Sequence, residues 1–438
     1  MPNCTKAKLI FPALKRRSIE ASFTGGEISS DGGLLFIREI DRRLGLLDAV
    51  AESIDDPRDS SRVQHSLRAL LKQRVYGLAL GYEDLNDHLQ LRRDLFFQAA
   101  VGSDELLASS STLCRLENWG HHRHSAVRIH EAIVDNFIAS HSAPPAELIL
   151  DFDATDDLVH GNQEGRFFHG YYDSYCFLPL FVFCGPQLLT AYLRPSKNDG
   201  ARHAWAILSL LVKRLRSAWP EVRLIFRGDS GFCRPRMLSW CERNQVDYCV
   251  GLAKNKRLNK EVEEAVWEMS IEYHRTGNKQ RDFGSFSYAA GTWPRARRVI
   301  ARLEYGAQGE DQRYIVTSLA GAPRHIYEKV YCPRGNMENN IKAVQLELFS
   351  DRTSCHYFIA NQFRLLMSAL AYILMERLRT IGLSETALSN SGLGTVRLKL
   401  LKIGAVIIKN TRRLRIFLSS AYPCQDLFRL VVRRLSLN

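Results

Sequence analysis

No apolar run in this chain is long enough to span a bilayer. Residues 177–193 are interrupted by Pro179, Gly185 and Pro186, and residues 365–375 are bounded by Arg364 and Glu376. The N-terminal stretch 1–17 is basic, without the apolar core of a secretory leader. No internal repeat or low-complexity tract is evident. The ten cysteines include no CxxC clip, and Cys233, Cys241 and Cys249, eight apart, fit no zinc pattern. Cys176 and Cys184 bracket the apolar run 177–183 and read as buried strand thiols. Together these absences argue against a membrane protein, a disulfide scaffold and a structural zinc site. They lead to the expectation of a cytoplasmic protein in a reducing compartment.

The chain is long and basic. At 438 residues it exceeds one average domain. Its 60 Lys and Arg against 47 Asp and Glu leave a formal charge of +13, which suits a polyanionic partner. The charge is uneven: residues 397–438 hold ten Lys or Arg and one acid, Asp426. The His121-His122-Arg123-His124 cluster has no Cys or acid beside it and reads as a solvated or phosphate-facing surface.

Periodicity divides the chain. Residues 1–145 read as a helical DNA-binding domain, with basic positions Arg38, Arg42, Arg43, Arg68, Lys72, Arg74, Arg92, Arg93 and Arg115. Pro144-Pro145 opens an α/β region, 146–253. Strands are expected at 147–152, 166–171, 177–184, 222–226 and 247–252, with 188–194 as an edge and a helix over 203–219 stopped by Pro220. Residues 254–319 change to alternation punctuated by Gly277, Gly284, Gly291 and Gly306, a β-rich insertion. Helices are expected from Arg324 onward, over 320–380 and through a basic helical region, 381–438.

Three acidic positions carry the chemistry. Asp153 lies in Leu-Asp-Phe-Asp-Ala-Thr (150–155), Asp229 in Phe-Arg-Gly-Asp-Ser-Gly (226–231), and Glu338 in Tyr-Cys-Pro-Arg-Gly-Asn-Met-Glu (331–338). The first two follow apolar strand-like runs. Carboxylates at the ends of buried strands are costly unless a cation compensates them. Three converging carboxylates would make a hard oxygen pocket for Mg²⁺ or Mn²⁺. Asp151 and Asp153 are two apart and point to the same side of a strand, so both stay candidates for the first position. The separations are 76 residues from Asp153 to Asp229 and 109 from Asp229 to Glu338, the second large enough to hold an insertion.

In this order and with these flanks, the three motifs resemble the DDE transposases of bacterial insertion sequences. Tyr331, Arg334 and Glu338 match that group's Tyr-x2-Arg-x3-Glu signature. Asp153-Ala154-Thr155 is similar to its Asp-Gly-Thr, which favours Asp153 over Asp151. The signature's Lys, seven residues after the Glu, is Gln345 here; the nearest lysine is Lys342. The likeness runs over roughly 22–379. It implies a ribonuclease-H-like mixed sheet with a β-rich insertion, and catalysis by Asp153, Asp229 and Glu338 holding two Mg²⁺ or Mn²⁺ ions. It implies cutting of double-stranded DNA at transposon ends and joining to target DNA, by a homodimer on paired ends, at the nucleoid. Tyr331, Arg334 and Lys342 are the expected DNA contacts around the acids, and Trp293 in the insertion is a candidate for stacking on an unpaired base, beside Arg295, Arg297 and Arg298. A structure-directed nuclease and an inactive DNA-binding regulator are the other readings of the same fold.

Overall fold

The computed structural model describes residues 8–119 and 123–436; the His121-His122-Arg123-His124 cluster lies outside the described side chains. The chain forms two compact units, one of residues 1–43, 58–116 and 377–438, the other of 44–57 and 117–376.

The second unit is built on one eight-stranded mixed sheet. Its strands are β1 (Glu147–Ala154), β2 (Leu180–Cys184), β3 (Gln187–Tyr192), β4 (Arg223–Gly228), β5 (Asp247–Leu252), β6 (Gln280–Tyr288), β7 (Arg297–Gly306) and β8 (Gly309–Thr317). They lie in the order β6-β7-β8-β5-β4-β1-β2-β3. β1 pairs antiparallel with β2, and β2 with β3. β4 runs parallel to both β1 and β5. An antiparallel set, β1 to β3, is thus followed in the chain by the parallel strands β4 and β5. The parallel crossover from β3 to β4 uses the helix α2 (Ala204–Ala218), which follows α1 (Arg123–Ala139) in the chain. α3 (Pro235–Arg243) starts on a proline whose missing N–H costs nothing at that position and connects β4 to β5.

Alternation along the strands fills both faces. Leu224 and Phe226 of β4 join Leu150, Leu208, Leu238 and Val250 in the larger core, while Ile225, Cys249, Ile300 and Ile315 face a smaller cluster on the other side. The expected β-rich insertion, 254–319, contains α4 (Glu263–Thr276) and then β6–β8. Its strands extend the main sheet: β8 pairs antiparallel with β5, and Val299, Ala301 and Val316 share the core of Phe226. The hairpin thereby covers what would be an open edge of β5. After it come α5 (Gly335–Lys342) and α6 (Phe358–Arg377). The helical stretch 358–382 exceeds the 365–375 run read from the sequence and by length and composition alone could cross a membrane, but 78% of its apolar window is buried, as in a core helix. Within this unit, Gln362 of α6 accepts from the Leu193 N–H at 2.7 Å and donates to the Ala191 carbonyl at 3.0 Å.

The first unit is less helical than its sequence suggests. Strands Leu9–Leu14 and Arg17–Ala21 form a hairpin, and Glu27–Ser29 pairs with Ala405–Lys409, which pairs with Leu414–Leu418. The expected helical region 381–438 is helical over Leu393–Val396 and Arg397–Leu401, then forms a β-hairpin and the helix Gln425–Ser436. Val406, Ile407 and Ile408 explain the difference, because β-branched side chains favour a pleated strand over a helix. The helix Leu67–Leu80 is capped by the Ser66 hydroxyl and ended by Gly81 in the left-handed region. Many basic side chains expected to face DNA are used inside the unit. Arg74 is buried and donates to the Glu83 carbonyl at 3.1 Å. Arg397 donates to the Ala79 carbonyl at 2.8 Å, and Lys402 pairs with Asp31 at 2.7 Å. Arg397 and Lys402 are thus engaged within the unit, while Arg412, Arg413, Arg415, Arg429 and Arg433 stay exposed.

Gly33 shows how closely the two chain ends meet: a Cβ there would stand 2.1 Å from the Leu400 carbonyl oxygen. Gly33→Ala is expected to cost about 3 kcal/mol or more of stability through a backbone collision. Urea unfolding followed by circular dichroism tests this, and an unchanged midpoint would contradict the seating.

Candidate active site

Strand register brings the first two acids together. In the parallel pair β1–β4, Arg227 stands opposite Asp151 and Gly228 opposite Phe152. Continuing one residue places Asp229 beside Asp153, at the adjacent ends of two parallel strands. The 76-residue offset of the two motifs is the register of this pair.

Asp153 is half-shielded, and its Oδ2 accepts from Arg334 Nη1 at 3.1 Å. Its pKa is pushed up to about 6, by burial first; the Arg334 charge pulls it down, while the Asp229 and Glu338 carboxylates push it up. All three acids therefore act on one electrostatic environment. Asp229 turns out of the sheet, its carboxylate accepting from the Gly231 N–H at 2.9 Å. Gly251 on β5 makes room for it: a Cβ there would meet the Ser230 nitrogen and the Tyr331 hydroxyl, each at 2.7 Å.

The third motif is an irregular helical segment. A wide π turn, Ile326–Tyr331, leads through Cys332–Arg334 to α5, and a second π turn, Ala343–Glu347, follows. Arg334 and Glu338, one turn apart, share a face, and Arg334 Nη2 donates to Glu338 Oε1 at 3.0 Å. One guanidinium thus bridges Asp153 and Glu338. Tyr331 lies near Tyr327, ring centroids 5.5 Å apart. Lys342 is exposed at the end of α5.

Asp151 and Asp153 separate clearly. Asp151 is buried and both its oxygens accept from Arg227, also buried, with Nη2 to Oδ2 at 2.6 Å. Arg227 also donates to the Val330 carbonyl. Asp151 is committed to an internal ion pair, and Asp153 is left facing Arg334. Sequence reading overlooked Arg227, although its place two residues before Asp229, matching Asp151 before Asp153, is a signal.

Gln345, where the signature has Lys, donates to the Asp157 carboxylate at 2.8 Å and to the Asp156 carbonyl at 2.9 Å. This ties the segment after Glu338 to the turn after Asp153. Asp157 is fully buried, and among the described residues its Oδ2 has no hydrogen-bond partner. Burial first, then Asp351 and Asp156, pushes its pKa up to about 8, against the Gln345 hydrogen bond. A neutral amide beside a neutral acid replaces an ion pair there. Trp293 packs against Tyr288, centroids 5.8 Å apart, with the Arg297 guanidinium 5.0 Å from its ring centroid. Arg295 and Arg297 both pair with Glu242, and Arg298 donates to the Leu319 and Gly321 carbonyls. Because Glu242 lies on α3, the Arg295 and Arg297 pairs fasten the inserted strands to the helix between β4 and β5.

The donor set suits a hard divalent cation: three carboxylates, two at strand ends and one on a facing helix. Among the described residues no group of three His, Cys, Asp or Glu side chains stands close enough to hold a metal as arranged, and Arg334 occupies the space between two of the acids.

A mixed α/β sheet with acids gathered at the ends of adjacent parallel strands defines the class. The chain belongs to the DDE transposases: the family described as Transposase DDE domain group 1 matches residues 11–438. No curated protein matches the sequence. Among solved structures it is similar to the piggyBac transposase in a cryo-EM synaptic complex with hairpin DNA, at 11% identity over 85% of this chain and 80% of that one, with a TM-score of 0.40. That likeness is too distant to carry an argument.

Two outcomes are expected. Asp151→Ala leaves Arg227 buried and unpaired and should cost about 3–5 kcal/mol of stability, measured by denaturant unfolding; a near-zero cost would mean the pair is not structural. Asp157 binds a proton in the folded chain that the unfolded chain has released, so its contribution weakens as pH rises from the ordinary carboxylate range toward 8. Asp157→Asn stays neutral, so its melting temperature should exceed the wild type's most at pH 8–9 and converge with it near pH 4. A difference that does not change with pH would contradict a neutral buried acid.

Proposed function

We propose that this protein is the transposase of a bacterial insertion sequence, acting in the cytoplasm on nucleoid DNA. In this reading it binds the terminal inverted repeats of its own element, cuts the DNA ends and joins them to target DNA. The observation that carries the reading is the meeting of Asp153 and Glu338 on one guanidinium, beside Asp229 at the end of the neighbouring strand. Family membership and a formal charge of +13 support it. A ribonuclease-H-like core agrees with the strand order.

Asp153, Asp229 and Glu338 would hold divalent cations, Mg²⁺ or Mn²⁺, two per active site, which when bound activate water and stabilise the leaving 3′-oxygen. The residues' own work can be followed from the geometry. In this reading the neighbouring strand ends keep Asp153 and Asp229 close enough to share a cation once Arg334 gives way. α5 brings Glu338 from the opposite side. Arg334 neutralises two of the acids in the DNA-free protein. Its guanidinium can turn to a DNA phosphate once cations take over the carboxylates. Tyr331, over Gly251, lies at the edge of the same space. Water attacks the phosphorus at the element's end, and the 3′-oxygen leaves as a free hydroxyl. That hydroxyl then attacks a target phosphodiester, so each step exchanges one phosphodiester ester bond and no covalent enzyme intermediate is needed. Two ends must be cut together, which favours a homodimer.

Asp153→Asn, Asp229→Asn and Glu338→Gln should each lower cleavage of duplexes copied from the DNA flanking the gene by about a thousandfold, with binding to the same duplexes retained. Gel-resolved time courses with Mg²⁺ or Mn²⁺ check this. Near-wild-type cleavage by any one variant would remove that residue from the site. Gly251→Ala should slow cleavage by about a hundredfold by displacing Tyr331 and the Asp229 turn; wild-type rates would show that the close approach is not needed.

A further inference from the structure

The first unit leaves two apolar β-faces uncovered. The hairpin of Leu9–Leu14 and Arg17–Ala21 is two-sided: its register sets Leu9 opposite Ala21 and Phe11 opposite Ile19, so these four side chains share one face. Ile10 and Glu20 stand opposite each other on the reverse face. Every residue of both strands is exposed. A two-stranded hairpin alone in water is marginally stable at best, so one with an apolar face calls for a cover. The second face belongs to the three-stranded sheet of Glu27–Ser29, Ala405–Lys409 and Leu414–Leu418. There Val406 stands between Ile28 on one side and Phe417 on the other, a row that crosses all three strands. Ile408, two residues along, lies on the same face. Ala405 and Ile407, on the other face, are buried, whereas Ile28, Val406, Ile408 and Phe417 are exposed, Phe417 to the same 50% as Phe11. The sheet is thus apolar on both sides and covered on one. Contiguous exposed apolar side chains of this kind mark a contact surface.

We propose that these two faces cover each other between copies of the chain. The hairpin of one copy lies with Leu9, Phe11 and Ile19 on the Ile28–Val406–Phe417 row of a second copy, and the second copy's hairpin returns the contact. Within one chain the two faces do not cover each other, since both stay exposed. The link between hairpin and sheet, residues 22–26, is short, and Gly26 takes the left-handed region at φ 80°, a bend that favours glycine. Exchange of an identical element across a two-fold axis is a low-cost route to a dimer, and here it covers both faces of both copies at once. DNA is a poor occupant of either face, because neither row carries a cation; Lys15 and Arg16 sit in the hairpin turn instead. The formal charge of +13 on each copy opposes association at low salt, so an apolar contact should hold or tighten as salt rises. The interface stands on the chain's own faces; only its purpose, holding two DNA ends together, rests on the transposase reading.

Sedimentation of the DNA-free full chain should show a dimer that persists between about 0.2 M and about 1 M NaCl. Phe11→Gln and Phe417→Gln, both at exposed positions, should each raise the dimer dissociation constant about tenfold or more, while Glu20→Gln on the reverse face of the hairpin should change it by less than about twofold. The pairing itself is read by cross-linking. One preparation carries Phe11→Cys and another Val406→Cys; the two are mixed and treated with a short bismaleimide, with the wild-type chain as control for its own exposed thiols Cys114 and Cys332. A covalent dimer joined through the two introduced thiols, located by peptide mass spectrometry, is expected. A chain that stays monomeric at about 10 µM, a dimer that neither Phe11→Gln nor Phe417→Gln weakens, or a link that forms only within one chain carrying both thiol substitutions would overturn the proposal. A cross-linked dimer that cuts no terminal-repeat duplex keeps the interface and counts against the transposase reading. Cleavage of such duplexes by a monomeric chain sinks the interface and leaves that reading standing.

Discussion

The buried Arg227 guanidinium is the interaction on which the site depends. It grips both oxygens of Asp151 on β1, belongs itself to β4, and donates to the Val330 carbonyl just before Tyr331. One side chain thereby ties together the three segments that carry Asp153, Asp229 and Glu338. A buried ion pair of this kind adds little net stability over an apolar pair, but losing one partner is costly. Its value is geometric: the planar fork accepts only one arrangement of its three acceptors.

Around that clamp, neighbouring contacts have narrow tolerances. Gly251 leaves space for a tyrosine hydroxyl and a backbone nitrogen that any side chain would fill. Gln345 and Asp157 hold the far end of the third motif to the first through a hydrogen bond between neutral groups, in a place too buried for an unpaired charge. Arg334 gives the acids a counter-charge in the DNA-free protein. Repulsion between the Asp153 and Glu338 carboxylates is thus offset by one shared guanidinium.

Much of this was legible in the sequence. Short apolar runs ending in Asp153 and Asp229 read as strands because alternating buried positions leave a period of two, and their common 76-residue offset turned out to be sheet register. Arg334 and Glu338 shared a face because four residues make one helical turn. What escaped depended on contacts distant in sequence. Asp151 and Asp153 look alike until Arg227 claims one of them. In the basic tail, Arg397 and Lys402 go to the Ala79 carbonyl and to Asp31, partners more than 300 residues away that no spacing announces. Trp293 reads as a stacking platform; its contacts with Tyr288 and Arg297 could not be read from spacing. The insertion's alternation announced strands but not that they would join the main sheet.

The most direct test of the account is calorimetric titration of Mn²⁺ into the folded, DNA-free chain and its variants. Saturable binding in the wild type, its loss in Asp153→Asn, Asp229→Asn and Glu338→Gln, and its retention in Asp151→Asn at a temperature where that variant stays folded are the predicted results. Retention in Asp153→Asn together with loss in folded Asp151→Asn would contradict it, because the clamp and the ligand would have been assigned to the wrong carboxylates.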